Sequence, residues 1–211
     1  MAGWDAVGQG LVESLKTHVG LGFGRRKSDC GANCGCRDDW GIICGAMGDK
    51  LKVYLETSFV SYLTGVETSN AKIAADQAYT RQWWERERAK CDVYVSNYTL
   101  DESAKGNADL CARRIEKIRD VPVVPRRVEK EIELARQLIE GHALPEGETT
   151  DALHIASAAV AGMDILLTWN CRHMANPHTL PKTRDIVSAA GYVCPQVMTP
   201  RTFIENLDME V

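Results

Sequence analysis

The chain of 211 residues has no long apolar run. A membrane-spanning helix needs ~18–20 consecutive apolar residues, but the most apolar stretch, Ala152–Trp169, is interrupted by His154, Ser157 and Asp164. The first ten residues, MAGWDAVGQG, lack the basic start and apolar block of a secretory signal. We therefore expect a cytoplasmic protein with no membrane span.

A strong charge of either sign is also lacking. The 29 acidic and 25 basic residues leave a net charge of -4, which argues against a non-specific nucleic-acid coat. A chain of this charge binds RNA only through a local basic patch or through metal ions. The serine-hydrolase motif G-x-S-x-G is missing around Ser58. The glycine clusters at 8–10 and 20–24 follow no strand pattern, which excludes a dinucleotide-binding loop.

None of the eight cysteines forms a paired C-x2-C motif. The four early ones are Cys30, Cys34, Cys36 and Cys44, and the four scattered ones are Cys91, Cys111, Cys171 and Cys194. We predict that residues 1–46 form a poorly ordered extension, or are translated sequence upstream of a start at Met47; a zinc site is the alternative. The scattered thiols are expected to be reduced and buried or half-buried.

A regular alternation of strand and helix patterns begins at about residue 49. The predicted strands are Lys52–Leu55, Asp92–Ser96, Ile165–Thr168, a stub at Val197–Met198 and an edge strand at Val121–Val124. The predicted helices are Thr57–Leu63, Ala71–Lys90, Thr99–Lys105, Ala108–Ile118, Arg126–Glu140, Asp151–Ala161, with Thr149 and Thr150 as caps, Lys182–Ala190 and one that opens at Thr199-Pro200. Alternating strands and helices predict an α/β domain over residues 47–211, with a central, mostly parallel sheet flanked by helices.

Polar side chains lie near the predicted carboxyl ends of the strands, where α/β folds place their functional crevice. Glu56 follows the first strand, Glu102 lies in the helix after the second, Asp151 opens the helix before the third, and Asn170 follows the third. Taken singly, each acid has a structural explanation as a helix cap, a solvated helix residue or a partner of the helix dipole. Together they predict one acidic site.

Clustered carboxylates need neutralisation. Two carboxylates ~5 Å apart repel by about 3 kcal/mol at an effective dielectric near 20, so either some are protonated or a cation binds them. Carboxylate oxygens without a His or Cys cluster suit a hard ion, Mg²⁺ or Mn²⁺. Such an ion makes water more acidic and stabilises charge on a phosphate.

Several segments resemble the PIN-domain family, in particular its VapC-like toxins, over about residues 50–207. The segments are VYLETSFVSYLTG (53–65), TRQWWE (80–85), YVSNYTLDESAKGN (94–107), TDALHIASAAVAGMDILLTWNCRHMAN (150–176) and VMTPRTFIE (197–205). The resemblance implies a three-layer sandwich and a metal-dependent ribonuclease. It places Glu56, Glu102 and Asp151 on the first three family acids, as ligands of Mg²⁺ or Mn²⁺, and Asn170 on the fourth position.

Two departures from the family pattern bear on activity. Glu56 stands where the family usually has Asp, and its extra methylene moves the carboxylate by over ~1 Å. Asn170 stands in place of an acid, so it can orient water or offer a carbonyl oxygen but adds no charge. The resemblance implies the toxin of a type II toxin–antitoxin pair, with an RNA substrate, an antitoxin partner and a homodimeric state. An impaired RNA-binding or protein-interaction module is the alternative.

Other polar and aromatic residues near these positions keep two interpretations each. His154 lies one helical turn from Asp151 and is either structural or a contact of substrate or metal. Arg172 and His173 either contact phosphate or belong to a solvated loop. Trp83 and Trp84 fit helix packing or a protein interface.

Overall fold

A computed structural model of the chain describes residues 50–209, except for the side chain of Asp208. The strands are β1 (Lys52–Leu55), β2 (Asp92–Tyr94), β3 (Ile165–Leu167) and β4 (Gln196–Met198). The helices are α1 (Thr57–Thr64), α2 (Ala71–Arg86), α3 (Asn97–Ser103), α4 (Ala108–Ile118), α5 (Val128–Glu140), α6 (Thr149–Val160), α7 (Leu180–Ala189) and α8 (Pro200–Asp208), with a 3₁₀ turn at Arg88–Lys90. The predictions for residues 1–46 and for Met47 lie outside the described residues.

The four strands form one parallel sheet in the order β2-β1-β3-β4. In register, Tyr54 of β1 pairs with Tyr94 of β2 on one side and with Leu166 of β3 on the other. The predicted α/β fold with a central parallel sheet is confirmed. Because the chain places β2 and β3 on opposite sides of β1, the sheet has its topological switch point between β1 and β3, where such folds bind ligands.

Helices cover both faces of the sheet. On one face, Leu55 shares a core cluster with Phe59 of α1, Trp83 of α2 and Phe203 of α8. The Trp83 ring meets those of Phe59 and Phe203 edge to face, with ring centroids 5.3 and 5.8 Å away. On the opposite face, the hydroxyl of Tyr54 reaches α6, which packs against α5. Successive strand residues point to opposite faces, so β1 contributes to two helical layers.

Several predicted boundaries are wrong by a few residues. The long second helix ends at Arg86, and Lys90 belongs to the 3₁₀ turn. Thr149 and Thr150 do not cap α6, which begins at Thr149 with Glu148 as the N-cap residue and with no side-chain cap bond. By contrast, Ala108–Ile118 is confirmed as a helix, and the Thr199 side chain accepts the backbone N–H of Thr202 as predicted.

The predicted edge strand at Val121–Val124 is reduced to a single parallel bridge between Val95 and Val123. Val95 donates to the Pro122 carbonyl at 3.0 Å, and Val124 donates to the Val95 carbonyl at 2.8 Å. The pairing stops there because Pro122 and Pro125 have no N–H to extend a ladder.

The four described cysteines are free thiols. Cys91 is buried and Cys111 and Cys194 are half-buried, as expected, but Cys171 is exposed. The prediction for Cys171 is wrong because this residue lies in the loop after β3, outside any strand or helix. No helix among residues 50–209 combines the length and the apolar composition that a bilayer crossing requires.

A buried carboxylate outside the acidic site gives a stability prediction. Glu131 on α5 is 2% exposed, and it accepts hydrogen bonds from the Tyr98 hydroxyl at 2.9 Å and from the Arg127 N–H at 2.8 Å. We expect Tyr98→Phe to lower the free energy of unfolding by about 1–3 kcal/mol, because a buried charged acceptor loses a donor. Urea unfolding measures this; a change within about 0.5 kcal/mol would mean that water replaces the lost donor.

Candidate functional site

The predicted acidic residues lie at the carboxyl edge of the sheet, next to the switch point. Glu56 directly follows β1, and Asn170 lies three residues after the end of β3, the neighbour of β1. Glu102 is on α3, which begins just after β2, and Asp151 is in the first turn of α6. Three separate parts of the chain thus supply the carboxylates. Glu56 and Glu102 form a group with His154, whereas Asp151 forms a second group with Glu148 and His173.

Glu56 is 5% exposed and is the N-cap of α1. Its Oε2 accepts the backbone N–H of Ser58 at 2.9 Å, the Ser58 hydroxyl, and the Thr168 hydroxyl at 2.8 Å. Ser58 Oγ in turn accepts the backbone N–H of Trp169 at 2.7 Å. The longer side chain of Glu, compared with the Asp expected from the family pattern, is thereby held at the helix terminus and tied to the loop after β3.

Glu102 is bound through one of its oxygens. Its Oε2 accepts the Thr57 hydroxyl at 2.6 Å and lies 2.9 Å from Nε2 of His154, which is fully buried. Oxygens of Glu56 and Glu102 and a ring nitrogen of His154 lie within 4.8 Å of one another. At that spacing the two carboxylates repel by about 3 kcal/mol at an effective dielectric near 20.

A buried hydrogen-bond chain extends behind His154. Its Nδ1 lies 2.7 Å from the Tyr54 hydroxyl, which is 2.6 Å from Ser96 Oγ. Burial raises the pKa of Tyr54 far above its usual range, so the phenol keeps its proton. The Nε2–H tautomer of His154 satisfies both contacts, because it donates to Glu102 and accepts from Tyr54. Since both ring nitrogens are engaged, His154 orients Glu102 and has no free nitrogen for a cation.

Asp151 and Asn170 are directly linked. The Asn170 amide donates to Oδ2 of Asp151 at 2.6 Å, and its carbonyl oxygen accepts the His173 N–H at 3.1 Å. His173 Nδ1 lies 3.3 Å from both Asp151 Oδ2 and a carboxylate oxygen of Glu148. Both ends of the Asn170 side chain are therefore engaged with the protein, so this residue positions Asp151.

The three carboxylates have the same pattern of hydrogen bonding. Glu56 and Glu102 accept their hydrogen bonds through Oε2, and Asp151 accepts through Oδ2. The second oxygen of each, Oε1 or Oδ1, accepts no hydrogen bond from the described residues. A half-satisfied carboxylate of low exposure fits a hard cation, which takes oxygen ligands, and oriented ligand oxygens are the usual form of such centres. The donor set present in the chain therefore fits Mg²⁺ or Mn²⁺.

The pKa values of two of these acids are displaced in opposite directions. Burial, followed by the negative charges of Glu56 and Glu148, raises the pKa of Asp151 to about 6. Burial alone would also raise the pKa of Glu102, but the hydrogen bonds from His154 and Thr57 outweigh it and hold that pKa below its usual value. Without a cation, burial and the neighbouring carboxylates therefore disfavour the charged form of Asp151 in particular.

Some supporting residues were not predicted from the sequence. Glu148 and Tyr54 were missed. Thr57, Ser58 and Thr168 follow the predicted strands, but the sequence did not indicate that their hydroxyls bond to Glu56 and Glu102. A sequence signal existed for Tyr54, since a Tyr in a core strand needs a partner for its hydroxyl and His154 lies on the apolar helix α6. Arg172 is exposed in its loop, and Trp83 is fully buried core.

No family model matches the chain, and no curated protein matches its sequence. Among solved structures, the chain is similar to the Mycobacterium tuberculosis toxin VapC20, described as a sarcin-ricin loop cleaving toxin. The alignment has 19% identity and a TM-score of 0.42, and it covers 67% of this chain and 96% of that one.

Proposed function

We propose that residues 47–211 form a PIN-like, divalent-metal-dependent endoribonuclease that hydrolyses RNA phosphodiester bonds. The observation that carries this proposal is the shared arrangement of Glu56, Glu102 and Asp151. Each carboxylate is oriented through one oxygen, and its other oxygen accepts no hydrogen bond from residues 50–209. The resemblance of the surrounding segments to PIN domains supports RNA as the substrate.

The roles of the residues follow from their contacts. Glu56, Glu102 and Asp151 would hold Mg²⁺ or Mn²⁺, which supplies Lewis acidity by neutralising charge on the phosphate and making water more acidic. Asn170 keeps Asp151 in place through its amide N–H, and His154 does the same for Glu102. Cleavage then depends mainly on positioning and charge neutralisation, and no residue of the site serves as a covalent nucleophile.

The direct test is RNA cleavage by the full chain with Mn²⁺, Mg²⁺ or EDTA, with structured and unstructured RNAs. We expect cleavage only with metal, and we expect Glu102→Gln to reduce it at least about 100-fold, since the variant keeps the size of the side chain but removes a charge from the site. The matched control is Asp101→Asn. Asp101 is the preceding residue of the same helix and is exposed, so its substitution should leave cleavage unchanged.

The possible results of this experiment distinguish a wrongly assigned site from an unsuitable RNA substrate. Metal-dependent cleavage that survives Glu102→Gln would reject the assigned site. Saturable Mn²⁺ binding without cleavage of any RNA would support the site and reject ribonuclease activity on those substrates. A chain that neither cleaves RNA nor binds Mn²⁺ would reject the proposal.

We further propose a biological role as the toxin of a type II toxin–antitoxin pair, acting in the cytoplasm as a homodimer. This part rests on the resemblance to VapC-like toxins. The antitoxin partner would cover or enter the acidic site. A gene for a small DNA-binding protein directly upstream would support this role, and its absence would favour a solitary PIN protein.

The second candidate is an RNA-binding or protein-interaction module whose metal site is impaired. The observation that favours it is Asn170, whose amide and carbonyl groups are both used within the protein and which brings no fourth negative charge. This candidate predicts that Mn²⁺ titration gives no saturable signal and that Asp151→Asn does not change it.

A further inference from the structure

Next to the acidic site lies a pair of aromatic rings that the proposed catalytic roles do not use. Tyr62 and Trp169 stack with ring centroids 5.4 Å apart and an interplanar angle of 22°. Both residues are only partly buried. The core aromatics differ: Trp83 is fully buried and meets Phe59 and Phe203 at 86° and 87°. A near-parallel, partly exposed stack can be extended by another flat ring.

The stack is continuous with the acidic site. Ser58 bonds to Glu56 and, through Oγ, accepts the Trp169 N–H at 2.7 Å. Tyr62 lies four residues after Ser58 on α1, so the two side chains share a face one helical turn, or about 5–6 Å, apart. This face of α1 therefore carries Ser58, which contacts both Glu56 and Trp169, one turn before Tyr62 of the aromatic stack.

Trp169 is fixed in orientation. Its backbone N–H bonds to Ser58, and its indole N–H donates to Thr80 Oγ1 of α2 at 2.8 Å. The Tyr62 hydroxyl makes no hydrogen bond to any residue between 50 and 209. A rigid Trp that supports a less constrained, partly exposed Tyr is a preformed platform, which lowers the entropy lost on binding.

Positive charge lies beyond the stack. Arg201 pairs with Asp76 of α2, and Thr80, which accepts the Trp169 indole N–H, lies one helical turn further along α2. Lys72 lies one turn before Asp76 on the same helix. Lys72 is exposed, and Arg201 remains 40% exposed although it is paired with Asp76 at 2.8 Å. Aromatic rings interleaved with cations are the usual elements of single-strand nucleic-acid binding.

We propose that Tyr62 and Trp169 form a stacking subsite for an unpaired nucleobase next to the phosphate that is cleaved, with Lys72 and Arg201 contacting the backbone beyond it. This inference rests on the proposed ribonuclease function. It identifies the substrate class as RNA that is single-stranded beside the cleaved bond, because a base within a duplex has no free face for the stack.

The test measures the affinity of the full chain for a short, fluorescently labelled oligoadenylate, by anisotropy in Ca²⁺ and in EDTA. The test variant Tyr62→Leu keeps apolar bulk but removes the aromatic ring, and Tyr62→Phe keeps the ring. We expect about a tenfold or larger loss of affinity for Tyr62→Leu and little change for Tyr62→Phe, in line with the contribution of one base–aromatic stack. Tyr192→Leu, at the opposite edge of the sheet, should have no effect.

A second probe separates stacking from a structural effect. An oligomer of the same length with abasic riboses should bind the wild-type chain about as weakly as oligoadenylate binds Tyr62→Leu, and its affinity should not change in that variant. Equal losses for both oligomers, or an unchanged affinity in Tyr62→Leu, would overturn the subsite while leaving the nuclease proposal intact. No binding or cleavage of any RNA by the wild-type chain would overturn both.

Discussion

Asp151→Asn is expected to abolish metal-dependent cleavage and, at the same time, to stabilise the metal-free protein. The two effects have one cause. Asp151 is a carboxylate whose charge is opposed by burial and by Glu56 and Glu148, which raise its pKa to about 6. Asn keeps an acceptor oxygen for the Asn170 amide, which donates to Asp151 at 2.6 Å in the wild-type chain, but removes the charge that a cation needs. Cleavage should fall by at least about 100-fold.

The pH dependence of stability gives the sign of this effect. The unfolded chain releases the Asp151 proton near pH 3.9, and the folded chain releases it near pH 6. Between these values the folded state binds more protons, so the stability of the wild-type protein falls as pH rises from about 4 to 6. The advantage of Asp151→Asn should be absent below pH 4 and reach about 1–2 kcal/mol above pH 6, after allowance for solvent screening.

Thermal or urea unfolding in EDTA across this pH range measures the effect. The matched control is Asp109→Asn, because Asp109 also lies in the first turn of a helix, α4, but is exposed. That substitution should destabilise slightly, by about 0.3–1 kcal/mol, through loss of a favourable helix-dipole interaction. If Asp151→Asn instead lost stability at pH 7, or if Mn²⁺ stabilised it as much as the wild type, Asp151 would not be a strained metal ligand.

Part of this site was predictable from the sequence because it depends on topology. Glu56 directly follows a strand with the apolar pattern of Lys52–Leu55, and Asn170 follows another, so their placement at one edge of a parallel sheet follows from the strand order alone. Asp151 was located by its position at the start of a helix. Such placements need only the order of the elements, since the carboxyl ends of parallel strands meet at one edge.

The hydrogen-bond geometry was not predictable. Whether the carbonyl oxygen of Asn170 faces a cation or is used within the protein depends on the loop after β3, where that oxygen accepts the His173 N–H and the amide donates to Asp151. The position of Glu148 at the N-cap of α6 was not predictable either. Thr149 and Thr150 are of the residue types that favour helix N-caps, whereas Glu148 is not. The error in predicting an edge strand at Val121–Val124 had a local signal, since the prolines at 122 and 125 limit pairing.

Loss of His154 should weaken metal binding strongly although His154 itself binds no cation. Its Nε2 lies 2.9 Å from Glu102, and its Nδ1 lies 2.7 Å from the Tyr54 hydroxyl. In His154→Leu, Thr57 remains as the donor to Glu102 among the described residues, and the carboxylate becomes free to rotate. We expect Mn²⁺ affinity to fall by about 10–100-fold, the usual effect of removing a residue that orients a metal ligand, and stability to fall by about 1–3 kcal/mol, since buried polar groups lose partners.

The pH profile of Mn²⁺ binding distinguishes orientation from general destabilisation. The hydrogen bond from His154 helps to lower the pKa of Glu102, so that pKa should rise in His154→Leu. Protons would then compete with Mn²⁺ up to a higher pH, and the midpoint of binding should move upward.

In His154→Gln, an amide N–H within reach of Glu102 should restore part of the affinity and shift the midpoint back. Tyr54→Phe keeps the bond to Glu102 and should give a smaller loss. A midpoint unchanged in His154→Leu, with affinity reduced only in proportion to unfolding, would assign His154 a purely structural role.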